Sequence, residues 1–248
     1  MFLKAFFIQT AKGILIRFPR KTGLFFSYIA EFIRFRKSNR RPFSTRFRDA
    51  YPCLGDKLKT TPFDAHYTFH PAWAARVLSK TRPAEHIDIS SILHFSTLVS
   101  AFIPVKFYDY RPALLNLPGY TSGFADLTKL PFPDNSVESL SCMHTIEHIG
   151  LGRYGDPLDP DGDLKAIAEL KRVLKPGGTL LFVTPVGKPK IEYNAHRIYS
   201  FDMIIDYFAP LKLEEFSLVK DDNSFIGDAD PSLVPLQKYG CGCFWFKK

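Results

Sequence analysis

Acidic residues are nearly absent from the front of this 248-residue chain. Residues 1–48 hold 12 Lys or Arg against a single acid, Glu31, a net of +11. The whole chain carries +8, so residues 49–248 must sum to −3. A strongly basic front end therefore precedes a mildly acidic body. Long apolar runs are also missing. The longest uncharged stretch near the start, "TGLFFSYIA" (22–30), is about half the ~20 residues a bilayer requires. Lys4, Lys12 and Arg17 interrupt what precedes it and no small-residue cleavage site follows, so neither a membrane-spanning helix nor a signal peptide is expected. Cysteine is scarce. Cys53, Cys142, Cys241 and Cys243 show no CxxC spacing, and nothing in them points to an oxidising compartment or a zinc ribbon. Cys241 and Cys243 alternate along a strand-like segment and are expected to be buried, reduced and structural. There is no internal repeat.

The composition is that of a globular protein, with 46% hydrophobic and 23% charged residues. The length suits one α/β domain plus an appendage. Residues 1–48 hold ten of the 24 phenylalanines, interleaved with Lys and Arg. This mixture suits an interfacial helix or helix pair, broken at Pro19, whose rings sink into the acyl boundary while cations meet anionic head groups. The plainer alternative is an apolar cover for the main domain. Nucleic acid is not expected as a partner. A stacking platform spaces its aromatics along a groove, whereas Phe6-Phe7-Ile8 is a cluster.

Residues 49–70 are rich in turn formers. Helix is predicted at "HPAWAARVLSK" (70–80), with His70 as cap and Pro71 in first position. Strand and helix then alternate. Strands are predicted at 86–90, 105–110, near 121–126, at 137–144, 179–186 and 211–220, with a last one at "CGCFWFKK" (241–248). Helices are predicted at 92–102, 163–175 and 201–208. The alternation predicts a doubly wound parallel sheet, with ligands outside the carboxyl ends of its strands at the topological switch point.

The segments "LTKLPFPDNSVESLSCMHTIEHI" (127–149) and "ELKRVLKPGGTLLFVTP" (169–185), taken together, resemble the class I S-adenosylmethionine-dependent methyltransferases. The resemblance extends in order and spacing from about Pro71 to the C-terminus. More narrowly, "YPCLGDK", "TTPFDAHY", "EHIGLGRYGDPLDPDGD" and "YNAHRIYS" look like a bacterial methyltransferase-like family of unknown function. The resemblance implies a Rossmann-like methyltransferase sheet with an antiparallel terminal strand, in a domain taken as residues 49–248; by composition, residues 1–48 are a basic aromatic helical extension before it.

It also implies S-adenosyl-L-methionine as cofactor, held by Asp88, Ser90, Ser91, Asp109, Tyr110, Asp126, Leu127 and Met143. Asp109 follows Asp88 by 21 residues, the interval expected of an acid that grips ribose hydroxyls. Asp126 stands where the family places the partner of the adenine amino group, and Tyr108 or Tyr110 is placed to lie against the nucleoside. The turn departs from the family, with Ser90-Ser91-Ile92 in place of Gly-x-Gly. A Cβ disfavours the left-handed conformations that glycine allows. The chain also lacks the GxGxxG of a dinucleotide-dependent oxidoreductase.

For the transfer step His144 is the first candidate base, at the carboxyl end of the fourth strand, with Glu147 and His148 at i+3 and i+4. "HTIEH" also satisfies H-x-x-E-H, but it closes a strand instead of sitting in a long helix, and no metal site is expected. Asp156, Asp159 and Asp161 do not have calcium-loop spacing, and Asp163 is expected to cap the following helix. His66, Tyr67, Arg153, Tyr154, Asn194, His196 and Arg197 are candidates to line an acceptor pocket. The expected activity is O-methylation of a sugar or lipid-linked glycan by a cytoplasmic enzyme peripheral to the inner membrane face. The alternative is a catalytically inactive scaffold of the same fold in envelope or polysaccharide assembly.

Overall fold

The computed structural model describes residues 22–248, and the chain divides between Pro62 and Phe63 into two compact units. In the first, α1 covers residues 22–38 and extended chain follows, with one short turn at Phe47–Asp49. None of its described residues is buried. Phe25, Tyr28, Phe32 and Phe47 form a ladder of rings 6.1–6.4 Å apart, while Phe26 and Phe35 stay 70% and 64% exposed. Arg34, Arg36 and Lys37 crowd the last turn of α1, where cations favour the helix dipole. The segment before Pro19 lies outside the described residues. Residues 49–62, grouped by sequence with the larger domain, pack with this unit.

The second unit is a three-layer α/β/α structure. Its eight-stranded sheet runs β3-β2-β1-β4-β5-β10-β8-β9, where β1 is His86–Ile89, β2 Val105–Asp109, β3 Tyr120–Phe124, β4 Val137–Met143 and β5 Leu174–Val186. These five are mutually parallel. β10, Gly240–Lys247, runs antiparallel to both β5 and β8, Lys212–Val219; β9, Phe225–Ile226, closes the edge. β6, Lys190–Glu192, and β7, His196–Ile198, form a separate hairpin. The expected doubly wound sheet with an antiparallel terminal strand is therefore present.

Alternation along the strands sorts the core into two faces. Leu180 and Phe182 face one layer with Phe244 and Phe246, and Leu181 and Val183 face the other with Cys241 and Cys243. The first layer is covered by α4, Gly162–Val173, and α5, Phe201–Phe208; the second by α2, Ala65–Thr81, and α3, Leu93–Val99. In α4 the buried Ala166, Ile167, Leu170 and Val173 repeat at helical spacing, so one stripe drives its docking.

Two expectations about helix starts fail. α2 starts five residues before His70, capped by Asp64 Oδ1, which accepts from Tyr67 N at 3.1 Å. Pro71 therefore lies inside it, without an N–H to give the preceding turn, a cost offset by burying Trp73, Ala74, Val77 and Leu78. Asp163 is not a cap but sits buried in the first turn of α4, accepting from Tyr199 Oη at 2.8 Å.

The two motifs of the family resemblance hold each other. Arg172 donates to Phe132 O at 2.8 Å, Asp134 Oδ1 at 2.7 Å and Leu130 O at 3.1 Å, and Glu169 Oε2 takes Leu130 N at 2.7 Å. Arg172 and Glu169 pair at 2.7 Å as well. "LPFPDNS" and "ELKRVLKPGG" are thus a brace between the β3–β4 link and α4, away from the ligand face.

Candidate functional site

Strand order reverses between β1 and β4, and a cavity of about 330 Å³ opens beyond their carboxyl ends. One wall comes from strand ends: Ser90 after β1, Asp109 to Arg111 at β2, Ala125 to Thr128 after β3, and His144 and Thr145 after β4. The facing wall is the insertion before α4, with Tyr154, Asp156 and Asp159. Tyr154 has Arg111 over its ring at 4.8 Å and Arg153 at 5.1 Å, so a cation–aromatic stack ties the rim together. Asp156 Oδ2 accepts from Gly150 N at 2.7 Å, which closes the insertion on itself.

Of the residues expected at a cofactor, Ser90, Asp109, Tyr110, Asp126 and Leu127 line this cavity. Asp109 and Asp126 each commit only Oδ1 to local bonds, to Arg111 N at 2.6 Å and to Thr128 N at 2.8 Å. A second oxygen of each therefore remains for a ligand hydroxyl or amine. Tyr110 is 42% exposed, whereas Tyr108 packs edge-on against Phe132 at 5.2 Å. Asp88, Ser91 and Met143 do not line the cavity. Asp88 is fully buried, with Oδ1 accepting from Ser141 Oγ at 2.6 Å, and burial pushes its carboxyl up to about 7. Ser91 Oγ accepts from Met143 N at 3.2 Å, so its hydroxyl serves the sheet.

The glycine-poor turn has an ordered solution. Ser90 takes φ +57, the left-handed conformation usually left to glycine. Its N–H donates to Tyr108 O at 2.7 Å and its carbonyl accepts from Thr145 Oγ1 at 3.0 Å, so three strand ends fix the turn. Ile92, the bulkier intrusion, packs with α2 and α3 and is not part of the cavity lining.

His148 stands between this cavity and a second pocket of about 490 Å³. Its Nδ1 lies 2.6 Å from Ala195 O. A carbonyl only accepts, so Nδ1 carries the proton and Nε2 keeps a free lone pair. Burial pushes the imidazole below its usual value, which keeps it neutral. His144, with positive φ of 55, pairs its Nδ1 with Glu147 Oε1 at 2.9 Å; Nε2 is buried with no hydrogen-bond partner.

The second pocket is lined by Tyr67, Glu147, Arg153, Tyr154, Asn194 and His196 together with Tyr239. The structure thus brings together most residues expected at an acceptor. Arg197 is not among them. It is 4% exposed and braces the insertion by donating to Ile149 O at 2.6 Å and Pro160 O at 3.1 Å. His66 lies beneath, stacked between Tyr239 at 5.1 Å and His144 at 5.4 Å. Burial, then the neighbouring His144, lowers its imidazole to about 4. Sequence reasoning missed Tyr239, Thr145 and Arg111. Tyr239 had no local signal, being placed only by the pairing of β10 with β5.

Solved structures share this fold. A Bacillus halodurans C-125 protein assigned as a methyltransferase superposes with TM-score 0.52 at 14% identity, over 72% of this chain and 98% of that one. The fold is a methyltransferase fold. A second such structure is the 1,6-didemethyltoxoflavin-N1-methyltransferase of Burkholderia thailandensis, which holds 1,6-didemethyltoxoflavin and S-adenosylhomocysteine. It matches with TM-score 0.50 at 11% identity, over 73% of this chain and 78% of its own. In sequence, ltbC of Aspergillus luteorubrus, assigned as a methyltransferase, is 44% identical over 54 residues. That stretch is 22% of this chain and spans only 16% of the relative's length. A family model described as Caenorhabditis protein of unknown function, DUF268, matches residues 133–212, where a bacterial family was expected.

Proposed function

We propose that this chain is an S-adenosylmethionine-dependent methyltransferase that methylates a hydroxyl, with His148 as general base. The observation that supports it is the position of His148, neutral and aimed by Ala195 O, in the wall shared by the two pockets. The cofactor would lie in the switch-point cavity against Ser90, Asp109, Tyr110, Asp126 and Leu127. It supplies an electrophilic methyl carbon. The acceptor would occupy the second pocket among Tyr67, Arg153, Asn194 and His196, and His148 Nε2 would take its hydroxyl proton as the bond to methyl forms. Holding both partners in line accounts for most of the acceleration. The polar lining favours a sugar or lipid-linked glycan.

Residues 1–48 would hold the enzyme at an anionic membrane surface as a peripheral protein on the cytoplasmic side. This rests on the exposed rings of α1, Phe26 and Phe35, next to Arg34, Arg36 and Lys37. Among the described residues no helix is long and apolar enough to cross a membrane.

Thermal unfolding with S-adenosylhomocysteine tests the first part. A ligand at about 100 times its dissociation constant adds about 2.7 kcal/mol of stability. An unmoved transition at millimolar ligand, in a folded protein, would leave the inactive scaffold as the better reading. Co-sedimentation with anionic and with zwitterionic vesicles, before and after removal of residues 1–48, tests the second. Equal sedimentation of the two proteins with anionic vesicles would overturn it.

A further inference from the structure

Three side chains from distant parts of the second unit converge beside the pockets: His66 from α2, His144 at the end of β4 and Cys241 from β10. A donor atom of each lies within 4.8 Å of the other two. Two imidazoles and a thiol are the ligand types that suit a borderline-soft divalent ion of the zinc class.

The surroundings are built as the supports of such a site are built. The Glu147 carboxylate takes Nδ1 of His144 at 2.9 Å, which fixes the tautomer and leaves Nε2 with its lone pair. That Nε2 is buried, with no hydrogen-bond partner in the protein, and the His144 side chain is only 3% exposed. Glu147 Oε2 is likewise buried and unpartnered. Each such atom costs about 1–3 kcal/mol unless something binds it. The His66 ring lies within 16° of parallel to Tyr239 and 12° to His144, so it turns out of this stack to share an ion with His144. Cys241 is fully buried and in no disulfide.

We propose that His66, His144 and Cys241 bind a zinc-class divalent ion, with Glu147 orienting His144. The Cys241 thiol loses its proton to solvent as the sulfur–metal bond forms. Bonds of about 2.0–2.3 Å in a tetrahedral site put neighbouring donors roughly 3.5 Å apart, so the ligands close by about 1 Å. His66, only half-buried on α2, is the ligand with room to move. Three protein ligands leave the fourth position to water or to an acceptor oxygen. The site stands whether or not the neighbouring cavity takes S-adenosylmethionine.

The test uses the full chain, stripped with a chelator and titrated with Co²⁺ and Zn²⁺ without cofactor. A single ion should bind per chain, and Co²⁺ should give a thiolate charge-transfer band that Zn²⁺ removes. Cys241→Ser should abolish the band, and His66→Gln should weaken affinity at least about tenfold. Cys243→Ser, at the neighbouring thiol, should keep both. Circular dichroism confirms that each variant is folded, and His66→Gln keeps the test open if Cys241→Ser is not. Absence of stoichiometric uptake by the unaltered chain overturns the site. So does undiminished binding in whichever of the Cys241→Ser and His66→Gln variants fold.

Discussion

Ser141 Oγ donates to Asp88 Oδ1 at 2.6 Å in the interior of the sheet, and that direction sets the bonds behind it. Ser141 has one proton, so it must accept from His86 Nε2 at 2.9 Å. His86 Nδ1 then accepts from Ser139 Oγ at 2.8 Å. Burial lowers His86 to about 3, so the ring is neutral, as this chain requires. It ends on a carboxyl pushed up to about 7, mainly by the same burial.

That carboxyl makes stability fall as pH rises. Unfolded, Asp88 titrates near its ordinary 3.8; folded, it titrates near 7. Between these values the native state keeps a proton that the unfolded state has lost. The stabilisation is fully present below about pH 4 and lost as pH rises through about 7, an effect on the order of a few kcal/mol. Urea unfolding of the native protein and Asp88→Asn at pH 5 and pH 8 should show the native sequence losing more stability on that rise. Parallel losses would contradict it.

His148→Ala should lower turnover by about 10²- to 10⁴-fold, the range for loss of a general base, while S-adenosylhomocysteine binds as before. Isothermal titration separates the two. Equal loss of binding and turnover would make His148 a wall of the cavity and nothing more.

Much of this was legible in the sequence because it is local. Strand alternation, the Pro-Gly-Gly after α4 and the acid at each strand end gave the sheet, the switch point and the placement of Asp109 and Asp126. Arg197 shows where legibility stops: its side chain turns inward to two carbonyls that no sequence pattern pairs with it. Asp88 occupies the expected strand end, yet strand register aims it into the α2–α3 face with Ser139 and Ser141. Cys241 carried only a burial signal, because His66 and His144 approach it from two other elements, α2 and the end of β4. Long-range juxtaposition is what a one-dimensional reading lacks.

Arg197 and Tyr199 converge on buried Asp163, at 3.5 Å and 2.8 Å. Arg197→Leu leaves that carboxylate without its cation and should cost about 3–5 kcal/mol. Tyr199→Phe, which removes one hydrogen bond, should cost about 1–3 kcal/mol. Denaturant titration gives both, and a larger loss from Tyr199→Phe than from Arg197→Leu would show that the charge is not what Asp163 requires.

Gly150 begins the insertion at φ +78, and a Cβ there would meet Asp159 O at 2.0 Å. Backbone, not a flexible side chain, would have to yield. Gly150→Ala should therefore open the wall that carries Tyr154 and Asp159. S-adenosylhomocysteine affinity should fall by more than about tenfold while the sheet stays folded by circular dichroism. Unchanged affinity would exclude this wall from the cofactor site.

Ser90 decides whether the turn after β1 works by shape or by hydroxyl. A non-glycine residue at φ +57 carries about 1–2 kcal/mol of strain, which glycine removes. Glycine also frees the unfolded chain, at a cost of about 0.4–1 kcal/mol. The two nearly cancel, so Ser90→Gly should change stability by about 1 kcal/mol or less. The backbone bond to Tyr108 O at 2.7 Å survives the change, and the hydroxyl lost made only a 3.3 Å bond to the same oxygen. S-adenosylhomocysteine should therefore bind Ser90→Gly as tightly as the native turn or more so. Ser90→Val puts a branched Cβ at the same positive φ, and should lose both stability and binding. If Ser90→Gly instead abolishes binding in a folded protein, the hydroxyl contacts the cofactor directly and turn shape is secondary.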